Sequence, residues 1–186
     1  LDPMCGSGTL LAEALMVAAK IPAGYLKKSF GFERMPDFDA KLWAKVRKEC
    51  DDAIVLPEHG LIQGSDMDHD AVRASILNLS SLPGGDRVVV KQSAFQDLPE
   101  QEVKTIITNP PYGIRLKKED DMDSFVGEIG DFLKQKCAGS TAWVYFGERK
   151  LILKMGLAPS RKFPLNNGGL EGRLCKYEMY RGNKWT

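Results

Sequence analysis

The run Thr108-Asn109-Pro110-Pro111-Tyr112-Gly113 contains the residue types needed to present hydrogen-bond acceptors to a planar amine. Two consecutive prolines remove backbone donors and stiffen the turn, which holds the Asn109 side-chain oxygen and the Pro110 carbonyl outward. Two acceptors so held can take the N–H groups of an exocyclic base amine and aim its nitrogen lone pair at an electrophilic methyl group, while Tyr112 stacks on the base. A purely structural proline turn is the competing reading of these residues.

A second set opens the chain. In Asp2-Pro3-Met4-Cys5-Gly6-Ser7-Gly8-Thr9 the two glycines permit tight turns and let backbone amides approach a ligand. The loop lacks the Gly-Lys-Ser/Thr ending that places a lysine on phosphates, and no second glycine pattern completes a dinucleotide fingerprint. Its alternative is a structural strand-to-helix turn. Cys5 has no histidine near it in sequence, so it reads as a loop wall rather than a nucleophile. Asp66 stands at the expected end of a strand, where its carboxylate can accept two ribose hydroxyls, and Asp68 is placed to cap the following helix. Ser93 and Ala94, with Phe95, follow the next strand and can line an adenine pocket or pack a loop. Arg115, Lys117 and Lys118 can contact a nucleic-acid backbone, although Glu119, Asp120, Asp121 and Asp123 soon reverse the charge. Lys41, Lys45, Arg47 and Lys48 read first as a solvated helix face. Trp143, Tyr145 and Phe146 read as sheet-packing residues rather than a second base platform.

These residues need strand ends and helix starts to hold them. Residues 10–19 are rich in good helix formers and can present an apolar stripe. Pro22, Gly24, Gly31 and Pro36 make residues 21–36 a connection, and Phe38–Asp52 has helical spacing; 21–57 is therefore an insertion or connecting region. Strands are expected over Leu61–Asp66, Arg87–Lys91, Val103–Thr108 and Thr141–Phe146, and helices over Asp70–Leu82, Met122–Lys136 and Glu148–Met155. Asn167-Gly168-Gly169 is a turn leading to a terminal strand over Arg173–Tyr180. The alternation predicts an α/β fold with a mainly parallel central sheet and an antiparallel C-terminal strand pair. Leu1 and Asp2 read as the last residues of a truncated first strand, so 1–186 is expected to be one catalytic domain cut from a longer protein.

Composition agrees with one globular unit of 186 residues, 43% apolar and 27% charged. With 26 Lys and Arg against 25 Asp and Glu, the net charge of +1 means that a nucleic-acid partner needs a local basic patch. No apolar run reaches the roughly 20 residues of a membrane span, and the start has no signal-peptide pattern. A cytoplasmic protein is expected, without a membrane partner. Cys5, Cys50, Cys137 and Cys175 form no CxxC pair and His59 and His69 are isolated, so no metal is expected.

Taken together, Asp2-Pro3-Met4-Cys5-Gly6-Ser7-Gly8-Thr9, Gly64-Ser65-Asp66-Met67-Asp68 and Asn109-Pro110-Pro111-Tyr112-Gly113 resemble the first, second and fourth motifs of class I S-adenosylmethionine-dependent amino-methyltransferases. Ser29-Phe30-Gly31-Phe32-Glu33, the Phe38–Trp43 region, Asn109–Leu116 and Asn167-Gly168-Gly169-Leu170 are similar to the catalytic domain of bacterial THUMP-associated rRNA guanine-N2 methyltransferases. The resemblance implies a Rossmann-like fold and methyl transfer from S-adenosylmethionine to guanine N2 in 23S rRNA or its assembly precursor, with release of S-adenosylhomocysteine. It places Asp2, Cys5, Gly6, Gly8 and Thr9 around the methionine part of the cofactor, Asp66 on the ribose, Ser93 and Ala94 by the adenine, and Asn109, Pro110 and Tyr112 on the target amine. Many relatives have aspartate where Ser93 stands. An upstream THUMP module is implied as an RNA-binding partner. The Asn-Pro-Pro-Tyr turn also serves adenine-N6, cytosine and glutamine methyltransferases, so a DNA adenine-N6 enzyme and a noncatalytic cofactor- or RNA-binding module remain alternatives.

Overall fold

A computed structural model describes residues 1–111, 119–167 and 170–181. The first helix, α1 (Thr9–Ala19), starts directly after Gly8, whose φ of 83° is left-handed. It buries Leu11, Leu15 and Ala19 at a spacing of four, and ends on Lys20, whose N–H turns back to the Met16 and Val17 carbonyls. In the 21–57 region a short 3₁₀ turn (Gly31–Arg34) precedes α2 (Ala40–Asp52). Asp39 caps α2 by accepting from the Lys41 and Leu42 amides, at 2.9 and 3.0 Å, so the helix begins two residues after Phe38. No residue of α2 is buried; Trp43 instead meets Phe30 and Phe32 edge-on in a separate cluster of rings.

The remaining elements are β1 (Gln63–Asp66), α3 (His69–Ser80), β2 (Val89–Gln92), β3 (Thr105–Thr108), α4 (Glu119–Lys136), β4 (Thr141–Phe146), β5 (Arg161–Asn167) and β6 (Leu170–Glu178). β1 pairs in parallel with β2, and β3 with β4; β6 runs antiparallel to both β4 and β5. Leu1 and Asp2 fill the gap between β1 and β3. On one side the Asp2 N–H donates to the Gln63 carbonyl (3.0 Å) and the Asp2 carbonyl accepts from Ser65 (2.9 Å). On the other, the Leu1 nitrogen donates to Thr105 (2.9 Å) and its carbonyl accepts from Ile107 (3.0 Å), the pattern of a parallel ladder. The backbone order is thus β2, β1, residues 1–2, β3, β4, β6, β5: parallel through β4, then antiparallel, as a Rossmann-like α/β sheet with an antiparallel C-terminal pair.

One core cluster joins Ile106, Val144, Phe146 and Tyr177 of the sheet to Val126, Ile129 and Leu133 of α4; another joins Leu11 and Leu15 of α1 to Leu79 of α3 and Val88. Residues 149–155, expected as an α-helix, wind as a 3₁₀ helix. Three residues per turn stack Ile152 on Met155, and both are buried. β5 was masked in the sequence by Pro164 and its charges, which suit an edge strand and weaken a strand pattern. Gly168 and Gly169, the expected turn, lie outside the described residues. Among the described residues no helix is long and apolar enough to cross a membrane.

α4 approaches the 149–155 segment through Gly130, where an added β-carbon would run into the Met155 carbonyl oxygen. Alanine ordinarily favours a helix over glycine by about 1 kcal/mol. Here Gly130→Ala is expected to reverse that sign and lower stability by about 1–3 kcal/mol through overpacking. A reduced urea midpoint with an unchanged slope is the expected observation; an unchanged or raised midpoint contradicts the close approach.

Candidate active site

The opening loop folds against the ends of β1 and β3. The Cys5 N–H donates to the Ser65 carbonyl (2.9 Å), the Ser65 hydroxyl donates to the Pro3 carbonyl (3.2 Å), and the Gly6 N–H donates to Asp66 Oδ2 (2.9 Å). The other Asp66 oxygen accepts from the Asp68 N–H at 3.0 Å, so one half-buried carboxylate ties the glycine loop to the turn after β1. Each carboxylate oxygen retains a lone pair beyond the bond it makes, which leaves Asp66 able to accept hydroxyl donors. Asp68 caps α3 through the Asp70 N–H (2.9 Å). The Ser93 N–H donates to the Asp66 carbonyl (2.9 Å), which sets half-buried Ser93 and Ala94 beside Asp66; the Ser93 hydroxyl donates to the Ala94 carbonyl (3.0 Å).

Asp2 is only 2% exposed. Its Oδ1 accepts from the Met4 N–H at 3.2 Å. Burial pushes its carboxyl up to about 6, against the opposing pull of the Thr108 hydroxyl and the Met4 amide; the Asp66 charge adds to the rise. The Thr108 hydroxyl is itself buried and falls outside close hydrogen-bond geometry with any group among the described residues, so its effect on Asp2 is that of a nearby dipole. This Asp2–Thr108 contact brings the opening loop to the end of β3, where Asn109 is exposed and Pro110 buried. Tyr112, Gly113, Arg115, Lys117 and Lys118 lie outside the described residues.

Other expected residues sit differently. Cys5 is buried at 6% exposure within the α1–α3 core, and burial followed by the Asp2 and Asp66 charges pushes its thiol up to about 12. Its side chain packs beneath the loop, and only its backbone can face a ligand. Thr9 is exposed and, with Gly8, lines a cleft of about 400 Å³ between α1, residues 24–26 and the end of α3. Phe95 is in the core. Two residues that hold the loop were not singled out from sequence. Ser75 sits so close under Gly8 that no β-carbon fits there, and the Asn78 amide donates to the Ser7 carbonyl at 3.0 Å. The signal for Ser75 was a small polar residue on the stripe Val72, Ser75, Leu79, all buried.

The UPF0020 family model, described as RMKL-like, methyltransferase domain, matches residues 1–176. A Synechocystis protein named as an RNA methyltransferase, slr0064, is 37% identical over 184 residues, covering 96% of this chain and 47% of the relative. The ribosomal RNA large subunit methyltransferase K/L of Photobacterium profundum is 35% identical over 197 residues, covering 98% of this chain and 26% of its own length. The chain therefore spans less than half of either relative. Among solved structures, SMU.472, a methyltransferase by description and complexed with S-adenosylhomocysteine, superposes with a TM-score of 0.86 at 30% identity, over 98% of this chain and 48% of that one. A Listeria monocytogenes protein described as an N6-adenine-specific DNA methylase gives 0.81 at 25% identity, over 96% and 46%.

The raised Asp2 carboxyl has a stability consequence of definite sign. Its folded pKa of about 6 exceeds the ordinary 3.8, so between those values the folded chain binds more protons than the unfolded one. Asp2 therefore costs stability increasingly as pH rises through about 4 to 6, and the full cost is present above about 6. Asp2→Asn, which keeps an oxygen for the Met4 amide, is expected to gain more in Tm over the parent chain at pH 7.5 than at pH 4.5. Equal gains at both values would contradict burial of the ionised carboxylate.

Proposed function

We infer that this chain, which belongs to the UPF0020 family of RMKL-like methyltransferase domains, transfers a methyl group from S-adenosylmethionine to the exocyclic N2 amine of a guanine in bacterial 23S rRNA. The observation that carries this reading is the meeting of the glycine loop, Asp66 and the Asn109-Pro110 turn at adjoining strand ends, held there by the backbone bonds of Leu1 and Asp2 to both strands.

The residues present fit the cofactor. A β-carbon at Gly6 would meet nothing within 4 Å, so the loop is open on that side, and Gly8 offers α1 no side-chain cap. First-turn amides without a cap suit a carboxylate. Asp66 has acceptor capacity left for ribose hydroxyls, and Ser93 and Ala94 adjoin it for the adenine. Asp2 and the Cys5 backbone support the loop from below. S-adenosylmethionine, when bound, supplies an electrophilic methyl on a sulfonium. Asn109 Oδ1 and the Pro110 carbonyl accept the N–H groups of the amine and fix the direction of its lone pair; Tyr112 stacks on the base. A nitrogen–carbon bond forms, a carbon–sulfur bond breaks, and the amine proton passes to solvent, so orientation does more than a strong base.

This reading includes an upstream THUMP module that helps to hold structured rRNA, backbone contacts from Arg115, Lys117 and Lys118, and a cytoplasmic setting. A second reading, adenine N6 in DNA, is favoured by the description of the Listeria protein, because an adenine amine suits the same two acceptors.

Asn109→Ala is expected to lower kcat by about 100-fold or more while leaving S-adenosylhomocysteine affinity unchanged by calorimetry. Asp66→Ala is expected to weaken that affinity by about 10- to 100-fold, from the loss of charged hydrogen bonds. Mass-spectrometric mapping of label transferred to undermodified 23S rRNA should locate an N2-methylguanine. Methylation of adenine in duplex DNA, with none in rRNA, would replace the first reading by the second.

A further inference from the structure

The glycine loop takes its shape from hydrogen bonds that can be assigned peptide by peptide. The Cys5 N–H donates to the Ser65 carbonyl and the Gly6 N–H to the Asp66 carboxylate, both on β1. The Gly8 N–H turns back to the Cys5 carbonyl (2.8 Å), and the Gly8 carbonyl accepts from Ala12 of α1 (2.8 Å). The Ser7 carbonyl has a different kind of partner: it accepts from the Asn78 side-chain amide of α3 at 3.0 Å, across 71 residues of chain. α3 is thereby fixed to the loop at two points. At its start the Asp68 N–H shares the Asp66 carboxylate with Gly6, and about three turns later Asn78 holds Ser7. Between them Ser75, fully buried, forms the floor under Gly8, where no β-carbon fits.

Gly6 and Gly8 both have positive φ, 53° and 83°, and glycine passes to other backbone regions at little steric cost. The Ser7–Gly8 peptide lies between them, so its orientation depends on the bonds it makes. We propose that Asn78 is a positioning residue for the methionine part of the cofactor: by holding the Ser7 carbonyl toward α3, it keeps that oxygen from turning to the ligand side of the loop, where it would oppose the cofactor carboxylate. The proposal rests on the cofactor reading above, in which Gly6, Gly8 and Thr9 surround that part. Successive peptide N–H groups form a concavity that suits an anion, and a carbonyl oxygen turned into it repels one. Asp66 acts on the ribose, so the two anchors of α3 serve different halves of one ligand. The Asn78 side chain is exposed, and exchanging its amide therefore leaves the packing of the core intact.

The test compares two ligands by calorimetry on the full chain: S-adenosylhomocysteine, and 5′-methylthioadenosine, which keeps the adenosine and the sulfur and lacks the amino-acid chain. Asn78→Ala, which removes the donor, should weaken S-adenosylhomocysteine by about 3- to 10-fold, the range for one neutral hydrogen bond. Asn78→Asp keeps the size and sets a carboxylate oxygen against the Ser7 carbonyl, so it should lose at least as much. Both variants should bind 5′-methylthioadenosine as the parent does. Without ligand, deuterium exchange at the amides of residues 6–11 should quicken in both. S-adenosylhomocysteine affinity equal to the parent's in both variants would overturn the proposal, and so would an equal loss for the two ligands, which is the mark of a residue that merely supports the fold. Asp66→Ala separates this failure from that of the cofactor reading, because both ligands carry the ribose and both should weaken. If they do while the Asn78 variants bind like the parent, only the positioning role fails; if the parent chain binds neither ligand, the cofactor reading fails and the proposal with it.

Discussion

Two residues of backbone, Leu1 and Asp2, hold the sheet together. Without their bonds, β1 and β2 form one parallel pair and β3, β4, β6 and β5 a separate sheet. The bonds to Gln63 and Ser65 on one side, and to Thr105 and Ile107 on the other, make the two pieces one surface. Each backbone group of a central strand must find a partner when it is buried, so this segment has no freedom to slip without leaving several polar groups unpaired. The loop that follows starts from a fixed point, with Asp66 on one flank and Asn109 on the other.

That fixed point explains a costly feature. A carboxylate as buried as Asp2 would ordinarily be selected against on stability grounds, since burial alone drives its pKa upward. Its compensation is local: the Met4 amide and the Thr108 dipole each favour the charged form. Replacing it with an apolar side chain would remove the electrostatic penalty and also the acceptor that the Met4 amide uses within the loop. Strain and unfavourable burial are tolerated where they position chemistry.

Much of this arrangement was legible in the sequence, because the decisive residues have narrow physical uses. Two prolines after asparagine, two glycines before a helix, and an aspartate closing a strand each leave few conformations open. Asp68 as a cap could be read the same way. What was hidden depended on partners distant in sequence. Cys5 looked like a loop wall, but its thiol turns under the loop because Leu11 and Leu15 offer a core there. Thr9 belongs to the first helical turn and faces the cleft toward α3. Ser75 and Asn78 act on the loop only because α3 packs beside α1, and no local pattern reports that. Trp143, read with Tyr145 and Phe146 as packing, shares its sheet face with buried Tyr145 and is half-buried against Phe163 of β5, a strand that the sequence pattern did not reveal.

The mouth of the site sets an electrostatic constraint of its own. The mouth contains Asp2 and Asp66, and carboxylates there favour a cationic ligand; by linkage, such a ligand stabilises the ionised form of Asp2 against its burial. The same carboxylates repel phosphates. In the proposed reading, an uncharged base amine can enter such a mouth while the phosphates that carry it stay outside, so the acidic residues exclude the backbone without excluding the target.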